Sequence, residues 1–304
     1  MNSIEIRELT REYGATRAVD RLTFDVLPGR VTGFLGPNGA GKSTTMRLLL
    51  GLDRATSGTA TVGGRQFTTF TDPLRQVGAL LDPQSIHGGR TARDHLRFLA
   101  VSNRIPVSRV EEVLEQTGIA SAAGTRVKKF SLGMRQRLGI AAALLGDPGV
   151  LLLDEPTNGL DPEGIIWIRE LMRGLAAEGR TVLVSSHLMS ETAALADHLV
   201  VLGRGRLLAD TSMEEFIEAR STPRVRLRTT DPVRLRATLA RDGFELVGAG
   251  ADRWTVDGIQ AEQLGRMAAR EGIPMLELSD ERASLEQAYL DLTVDHAEFA
   301  AVTH

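Results

Sequence analysis

The segment Gly36–Ser43 constrains this chain more than any other, because it reads G-P-N-G-A-G-K-S between an apolar run and a helical pattern. The run Arg30–Leu35 predicts a strand, and Thr44–Leu50 predicts the helix that follows the loop. Glycines permit the backbone torsions that turn successive N–H groups inward onto phosphate oxygens, and a helix N-terminus favours anions. The spacing G-x-x-x-x-G-K-S therefore predicts a loop that binds phosphate.

The residue types in this loop match what a nucleoside triphosphate requires. Lys42 supplies a compact positive charge to the β- and γ-phosphates, and Ser43 supplies a hydroxyl ligand for Mg²⁺. Lysine occurs only three times in the 304 residues, which weighs against an accidental lysine here. We therefore predict nucleotide binding rather than an ordinary glycine-rich turn. The other residues expected to contact the nucleotide at the loop are Gly36, Asn38, Gly39, Gly41 and Thr44.

A second apolar strand, Val150–Leu153, ends in the two acids Asp154 and Glu155. Asp154 is placed to hold Mg²⁺ through water, as the second metal-holding acid of phosphoryl-transfer sites does. Glu155 then lies where it polarises a water that attacks the γ-phosphate. The alternative, that both acids merely end a strand, loses force once the phosphate-binding loop is accepted.

The order of strands and helices predicts an α/β domain with a mainly parallel core and an antiparallel start. Ile4–Leu9 and Leu22–Val26 alternate apolar and polar residues, which indicates half-buried strands. The short apolar runs Val77–Leu81, Val150–Leu153 and Thr181–Ser185 are typical of central strands covered on both faces. Helical patterns occur at Arg93–Val101, Val107–Thr117, Leu132–Leu145, Ile165–Ala177 and Leu188–Ala196.

The composition changes near residue 220, and we predict a first domain over 1–219 and a second over 220–304. The second domain shows a β-α-β-β-α-β order, which is the ferredoxin-like α+β pattern, followed by a helix over Ser284–Leu292. Arg224, Arg226 and Arg228 alternate along its first strand. We interpret them as charges on a solvated edge strand that prevent it from pairing with another chain, rather than as a basic binding stripe.

Composition argues against several classes of function. The longest unbroken apolar stretch, Ile140–Leu145, is far shorter than the ~18 residues of a membrane-spanning helix. The chain has no cysteine, so disulfides and thiolate metal sites are excluded. The net charge is −3 and aromatic residues make up 4%, whereas nucleic-acid binding usually uses a basic face or a stacking platform. We therefore expect no nucleic acid among the partners.

Between the two phosphate motifs lies S-L-G-M-R-Q-R, from Ser131 to Arg137, which alone predicts only a serine cap before a helix. In this order along the chain, the three segments resemble the P-loop ATPase subunits of ABC transporters, with their helical subdomain, over about residues 3–215. The second domain resembles the C-terminal extension of bacterial drug and antibiotic exporter subunits. The resemblance assigns roles to further residues. These are Tyr13 as the aromatic that stacks on adenine, Asp161 in the D-loop, His187 as the switch histidine, and Ser131 and Gly133 as contacts across a dimer interface.

The resemblance also implies a function. Such ATPases bind ATP and Mg²⁺ between two cassettes that close head to tail, and hydrolysis loosens them. The implied partners are a separate membrane-spanning permease and a second cassette, which we expect to be a copy of this chain, with a related chain as the alternative. The implied location is cytoplasmic, on the inner face of the cell membrane, and the implied activity is export of drug-like or hydrophobic compounds.

Two other classes of function stay open as alternatives. A soluble ABC ATPase acting on a ribosome or a DNA machine is the first, although this chain lacks a second cassette and a long coiled-coil insertion. A P-loop kinase is the second, and it does not explain Ser131, Asp161 and His187 together.

Two positions depart from the family pattern. The signature usually has Gly-Gly-Gln after its serine, but here the sequence is Leu132-Gly133-Met134. The Q-loop usually supplies a glutamine that touches Mg²⁺ and the attacking water, but here the equivalent position is Asp82, with Gln84 two residues on. We favour Asp82 for the metal contact, because a carboxylate binds Mg²⁺ directly. A re-registered loop that uses Gln84 is the alternative.

Overall fold

The computed structural model of the chain describes residues 2–219, 223–250 and 252–281, together with Leu285, Tyr289 and Leu292. The chain forms two compact units that divide between Met213 and Glu214. The predicted boundary at residue 220 lies outside the described residues. The predicted helix Ser284–Leu292 also lies mostly outside them, although its three described residues are helical.

The strands of the first unit form an antiparallel sheet and a mainly parallel sheet, which confirms the predicted α/β class. The strands described there are β1 (Ile4–Tyr13), β2 (Thr16–Val26), β3 (Val31–Leu35), β4 (Ser57–Val62), β5 (Val77–Leu80), β6 (Val150–Asp154), β7 (Thr181–Ser186), β8 (His198–Gly203) and β9 (Arg206–Ser212). The antiparallel sheet has the order β2-β1-β4. The larger sheet has the order β5-β6-β7-β3-β8-β9 and is parallel except at β9.

The helices described in the first unit are α1 (Lys42–Leu49), α2 (Pro73–Gln76), α3 (Ala92–Ser102), α4 (Ser108–Gln116), α5 (Leu132–Leu144), α6 (Pro162–Ala177) and α7 (Met189–Ala193), and α8 (Met213–Ala219) spans the boundary. Side chains cap α3, α5 and α6: Thr91, Ser131 and Asp161 each accept a hydrogen bond from a backbone N–H in the first turn. Within the described ranges, no helix combines the length and the apolar character needed to cross a membrane.

The central strands β3, β6 and β7 are buried at every position. Alternate residues of β6 enter two different apolar cores. Leu151 and Leu153 pack in the core that contains α3–α6, and Val150 and Leu152 pack in the core that contains α1 and the antiparallel sheet. Both faces of the sheet are therefore covered, which is why these strands are continuous apolar runs.

The second unit has the predicted ferredoxin-like topology. Its strands are β10 (Arg224–Thr229), β11 (Leu246–Gly248), β12 (Trp254–Asp257) and β13 (Met275–Glu281), and its helices are α9 (Pro232–Arg241) and α10 (Ala261–Arg270). The sheet order is β11-β12-β10-β13, and each described pairing is antiparallel.

The interpretation of the arginine strand as an edge strand is wrong. β10 lies inside the sheet, because it pairs with β12 on one side and with β13 on the other. Each arginine on its exposed face forms an ion pair with an acid of another segment. The pairs are Arg224–Asp257, Arg226–Glu277 and Arg228–Asp252. The charges therefore bind neighbouring segments together and leave no continuous basic stripe.

The close contact between β5 and α5 leads to a stability prediction. A Cβ on Gly78 would lie 2.0 Å from the carbonyl oxygen of Ala143, so Gly78→Ala forces strand and helix apart. We expect a loss of about 1–3 kcal/mol in the free energy of unfolding, measured by urea denaturation. The control is Gly174→Ala in α6, where a Cβ meets no atom within 4 Å, and we expect a gain of about 0.5–1 kcal/mol. Equal effects of the two substitutions would contradict the packing argument.

Candidate functional site

The phosphate-binding loop connects the carboxyl end of β3 to α1, as the sequence predicts. Gly36, Gly39 and Gly41 have φ angles of 152°, 82° and 103°. A Cβ on Gly36 would lie 2.6 Å from the carbonyl oxygen of Leu202, and one on Gly41 would lie 2.6 Å from that of Ala18. The loop thus requires glycine at Gly36 and Gly41 for space as well as for torsion, and at Gly39 for torsion.

Lys42 is buried and folds back over this loop. Its Nζ donates to the carbonyl oxygen of Gly36 at 2.5 Å and to that of Pro37 at 3.4 Å. Burial lowers the pKa of the Lys42 ammonium, and the nearby carboxylates of Glu155 and Asp154 act in the opposite direction. A phosphate group in the loop would favour the charged ammonium in the same way as these acids do.

A cavity of about 690 Å³ lies against the loop, which is within the usual size range of ligand sites. It brings together the loop, the end of β6, the segment after β5 and the start of α5. The residues that line it are Ala18, Pro37, Asn38, Gly39, Ala40, Gly41, Lys42, Ser43, Thr44, Leu81, Pro83, Gln84, Leu132, Gln136, Asp154, Glu155, Asn158 and Gly159. Inward N–H groups, a lysine, a hydroxyl and two carboxylates fit a nucleoside triphosphate with Mg²⁺.

The two acids at the end of β6, Asp154 and Glu155, are joined by Ser185 of the neighbouring strand β7. Ser185 Oγ donates to the buried carboxylate of Asp154 and accepts from the backbone N–H of Glu155 at 3.0 Å. Glu155 has a φ of 49°, which is unusual for a residue with a side chain. Its Oε2 lies 2.8 Å from Nδ1 of His187. The structure therefore brings together Asp154, Glu155 and His187.

Asp82 and Gln84 occupy different positions relative to the cavity. Asp82 begins the turn Pro83–Ser85, where its Oδ1 accepts from the backbone N–H of Gln84 at 2.8 Å. Gln84 is among the residues that line the cavity, whereas Asp82 is not among those described there. The carboxylate of Asp82 is thus engaged in shaping the loop, and the placement favours Gln84 for a contact inside the cavity.

Ser131, Gly133 and Asp161 are placed at helix starts. The exposed Ser131 accepts a hydrogen bond from the backbone N–H of Met134 at 3.2 Å, and Asp161 caps α6 in the same way. A Cβ on Gly133 would lie 2.7 Å from the carbonyl oxygen of Gly159. The structure thus shows a close approach within one chain, between the signature segment Ser131–Arg137 and the D-loop, Gly159–Asp161. The contact of Gly133 across a dimer interface stays a prediction.

Tyr13 lies at the end of β1 and is 45% exposed, outside the residues described as lining the cavity. The Arg11 guanidinium stacks on its ring at 4.3 Å from the centroid. The Tyr13 hydroxyl donates to Asp53 Oδ2 at 3.1 Å, and Arg47 of α1 donates to the same oxygen at 2.8 Å. Through Asp53, these contacts connect the Tyr13 ring to α1, the helix that follows the phosphate-binding loop.

Two residues of the site escaped the sequence analysis. Ser185 appeared only as the end of an apolar strand, and Gln136 appeared only within the signature segment. Gln136 is buried in α5 and its Nε2 donates to the backbone carbonyl of Glu155 at 3.0 Å. A signal for Ser185 existed, because a polar residue in a buried strand needs a hydrogen-bond partner. That partner depends on strand pairing, which opposes Asp154 and Ser185.

Comparison with known proteins gives matches to both units. Residues 19–158 match a family profile described as ABC transporter, and residues 223–286 match a domain of unknown function. The bacitracin transport ATP-binding protein BcrA of Bacillus licheniformis is 35% identical over 303 residues, which cover 95% of this chain and 96% of that protein. The lantibiotic transport ATP-binding protein SrtF of Streptococcus pyogenes is 36% identical over 207 residues, which cover 68% and 90%.

Solved structures show the same fold for the first unit. The ATP-binding subunit of an ABC transporter aligns with a TM-score of 0.66 and 27% identity, covering 71% of this chain and 92% of that chain. A dimeric bacterial ABC transporter cassette aligns with a TM-score of 0.63 and 23% identity, covering 69% and 98%.

The positions of Asp82 and Gln84 lead to a test of the metal contact. Gln84→Ala removes the side chain from the cavity, so we expect the Mg²⁺ concentration for half-maximal ATP turnover to rise about 10-fold. Asp82→Asn keeps an oxygen that caps the turn, so we expect that concentration to stay unchanged. The measurement is a Mg²⁺ titration of phosphate release. The reverse result, a shift with Asp82→Asn alone, would support the metal contact originally expected at Asp82.

Proposed function

Since the chain belongs to the ATP-binding proteins of ABC transporters, we propose that it powers the export of an antimicrobial compound through a separate membrane permease. Members of this family are ATPases coupled to transport, so ATP binding and hydrolysis are the activity of this chain. The observation that carries the export proposal is the similarity to a bacitracin transport protein over 95% of the chain, which includes the second unit. The relatives do not favour action on a ribosome or a DNA machine.

We assign the phosphates and the metal to the loop and to the end of β6. Backbone N–H groups of Gly39 and Gly41 and the ammonium of Lys42 bind the phosphate oxygens, because these groups line the cavity. Ser43 and Asp154 would hold Mg²⁺, and Ser185 keeps the Asp154 carboxylate oriented by donating to it. When bound, the metal neutralises charge on the β- and γ-phosphate oxygens.

Glu155 is the proposed general base. Its carboxylate lines the cavity, where it accepts the proton of the water that attacks the γ-phosphate. His187 contacts Oε2 at 2.8 Å and so fixes the carboxylate in one orientation. Gln84 contributes a polar contact to the metal or the water from the opposite segment of the cavity lining.

We assign the exposed residues of the site to contacts with a second cassette and with the adenine of ATP. Ser131 at the start of α5 meets the γ-phosphate of ATP held by a second cassette, because a helix N-terminus favours an anion. Asp161 lies at the same kind of helix start and contributes to that interface. We propose that the second cassette is a copy of this chain and that the assembly works on the inner, cytoplasmic face of the membrane. Tyr13 stacks on the adenine with the ring face opposite Arg11.

The role of Glu155 is tested by Glu155→Gln, which keeps the shape of the side chain but removes the base. We expect ATP affinity to be retained and turnover to fall by about 10²–10⁴-fold. Two cassettes then stay closed on unhydrolysed ATP, so light scattering should report a dimer that wild type does not accumulate. Glu170→Gln, at an exposed position of α6, is the matched control and should turn over normally. Undiminished turnover in Glu155→Gln would exclude Glu155 as the base.

Export is tested in cells that carry the chain together with its permease. We expect a higher inhibitory concentration of bacitracin or of a lantibiotic than in cells with the permease alone. Glu155→Gln should abolish that protection, because binding without hydrolysis does not complete the cycle. An active ATPase that gives no protection against any such compound would overturn the export proposal and leave the ATPase assignment intact.

A further inference from the structure

Gln136 is a buried amide whose hydrogen bonds are only partly satisfied. The residue is 1% exposed and lies on α5. Its Nε2 donates to the carbonyl oxygen of Glu155 at 3.0 Å, whereas its Oε1 accepts no hydrogen bond from any residue that the structure describes. A buried acceptor without a donor is costly, so this side chain is a poor choice if its role is only to stabilise the fold.

Several hydrogen bonds hold the backbone of Glu155, the residue that Gln136 contacts. The Glu155 N–H donates to Ser185, at 3.0 Å to Oγ and 3.2 Å to the carbonyl oxygen. The Glu155 carbonyl oxygen accepts from Asn158 N at 3.2 Å as well as from Gln136. A φ of 49° persists in a residue with a side chain only where surrounding contacts hold it. These contacts therefore set the direction in which the Glu155 carboxylate leaves the backbone.

Among the described hydrogen bonds of the Glu155 backbone, the one from Gln136 comes from α5. We call α5 the signature helix, because Ser131 begins it. Ser131 caps α5, and Gln136 lies five residues later on the same helix, about 7–8 Å along its axis. A helix of this length moves as a rigid body over such a distance. A displacement of Ser131 by a phosphate on a second cassette would therefore reach the Glu155 carbonyl through the Gln136 side chain.

We propose that Gln136 is a positioning residue that couples the signature helix to the orientation of the Glu155 carboxylate. The inference rests on the proposed role of Glu155 as the base and of Ser131 at the second nucleotide. It adds a link between them that runs within one chain. Gln136 is among the residues that line the cavity, but its hydrogen bond goes to the Glu155 carbonyl, and we assign its effect to that backbone contact rather than to the phosphates or the attacking water.

The principal test is Gln136→Met, which keeps the length of the side chain and removes both hydrogen-bonding atoms. We expect kcat per titrated ATP site to fall about 10–100-fold, while the dissociation constant for ATP changes less than about 2-fold. The melting temperature should be unchanged or higher, because an unpaired buried acceptor is removed. A purely structural role predicts the opposite combination, a lower melting temperature with kcat per site preserved.

A double substitution separates this inference from the proposed function. In a Glu155→Gln background the carboxylate is already gone, so adding Gln136→Met should not lower the residual turnover further. Gln76→Met, at an exposed position of α2, is the matched control and should leave kcat unchanged. If Gln136→Met destabilises the fold, Gln136→Leu replaces it, because leucine has neither a donor nor an acceptor, and the same fall in kcat per folded, ATP-binding site is expected.

The two possible failures look different. Normal kcat in Gln136→Met, with turnover abolished in Glu155→Gln, overturns the coupling role and leaves the base assignment standing. Normal turnover in Glu155→Gln overturns the proposed base and the coupling role together. A further loss in the double variant also overturns the coupling role, because Gln136 would then act independently of Glu155.

Discussion

The parallel register of three neighbouring strands is the constraint on which the whole site depends. β3 pairs with β7 so that Leu35 is opposite Ser186, and β6 pairs with β7 so that Asp154 is opposite Ser185. The phosphate-binding loop, the two acids and the switch histidine all follow these strand ends. A shift of one residue in the β6–β7 pairing would move Asp154 away from Ser185 and to the other face of the sheet, and a shift in the β3–β7 pairing would displace the loop after β3 from both acids. The two apolar cores that bury the strands thus fix the chemistry as well as the fold.

The local parts of the site were predictable from the sequence, because each consists of a few consecutive residues with one demanding pattern. Gly36–Ser43 and Asp154–Glu155 belong to this group, and so do the buried strands that precede them. Ser185 and Gln136 were not predictable, because their roles depend on residues 31 and 19 positions away in the chain. Asp82 and Gln84 differ by two residues in a loop, and only the fold shows which of them reaches the cavity.

Burial alone did not make a strand predictable. β4, β8 and β9 were missed: β4 reads Ser-Gly-Thr-Ala-Thr-Val and is mostly exposed, β9 has no fully buried residue, and β8 is buried but begins two residues after the predicted helix Leu188–Ala196 ends. The edge-strand interpretation of β10 failed for a different reason. Alternating arginines look the same at the edge of a sheet and on the open face of a central strand, and only the pairing of β10 with both β12 and β13 distinguishes the two.

The contact between Gly133 and Gly159 has a mechanical consequence. The Leu132 side chain lies where a Cβ on Gly159 would be, and the Gly159 carbonyl oxygen lies 2.7 Å from where a Cβ on Gly133 would be, so the two segments pack closely against each other. Sliding one segment past the other would drive these atoms into each other, so we expect the start of α5 and the D-loop to move together. The two surfaces assigned to a second cassette would then be presented to it as a single unit.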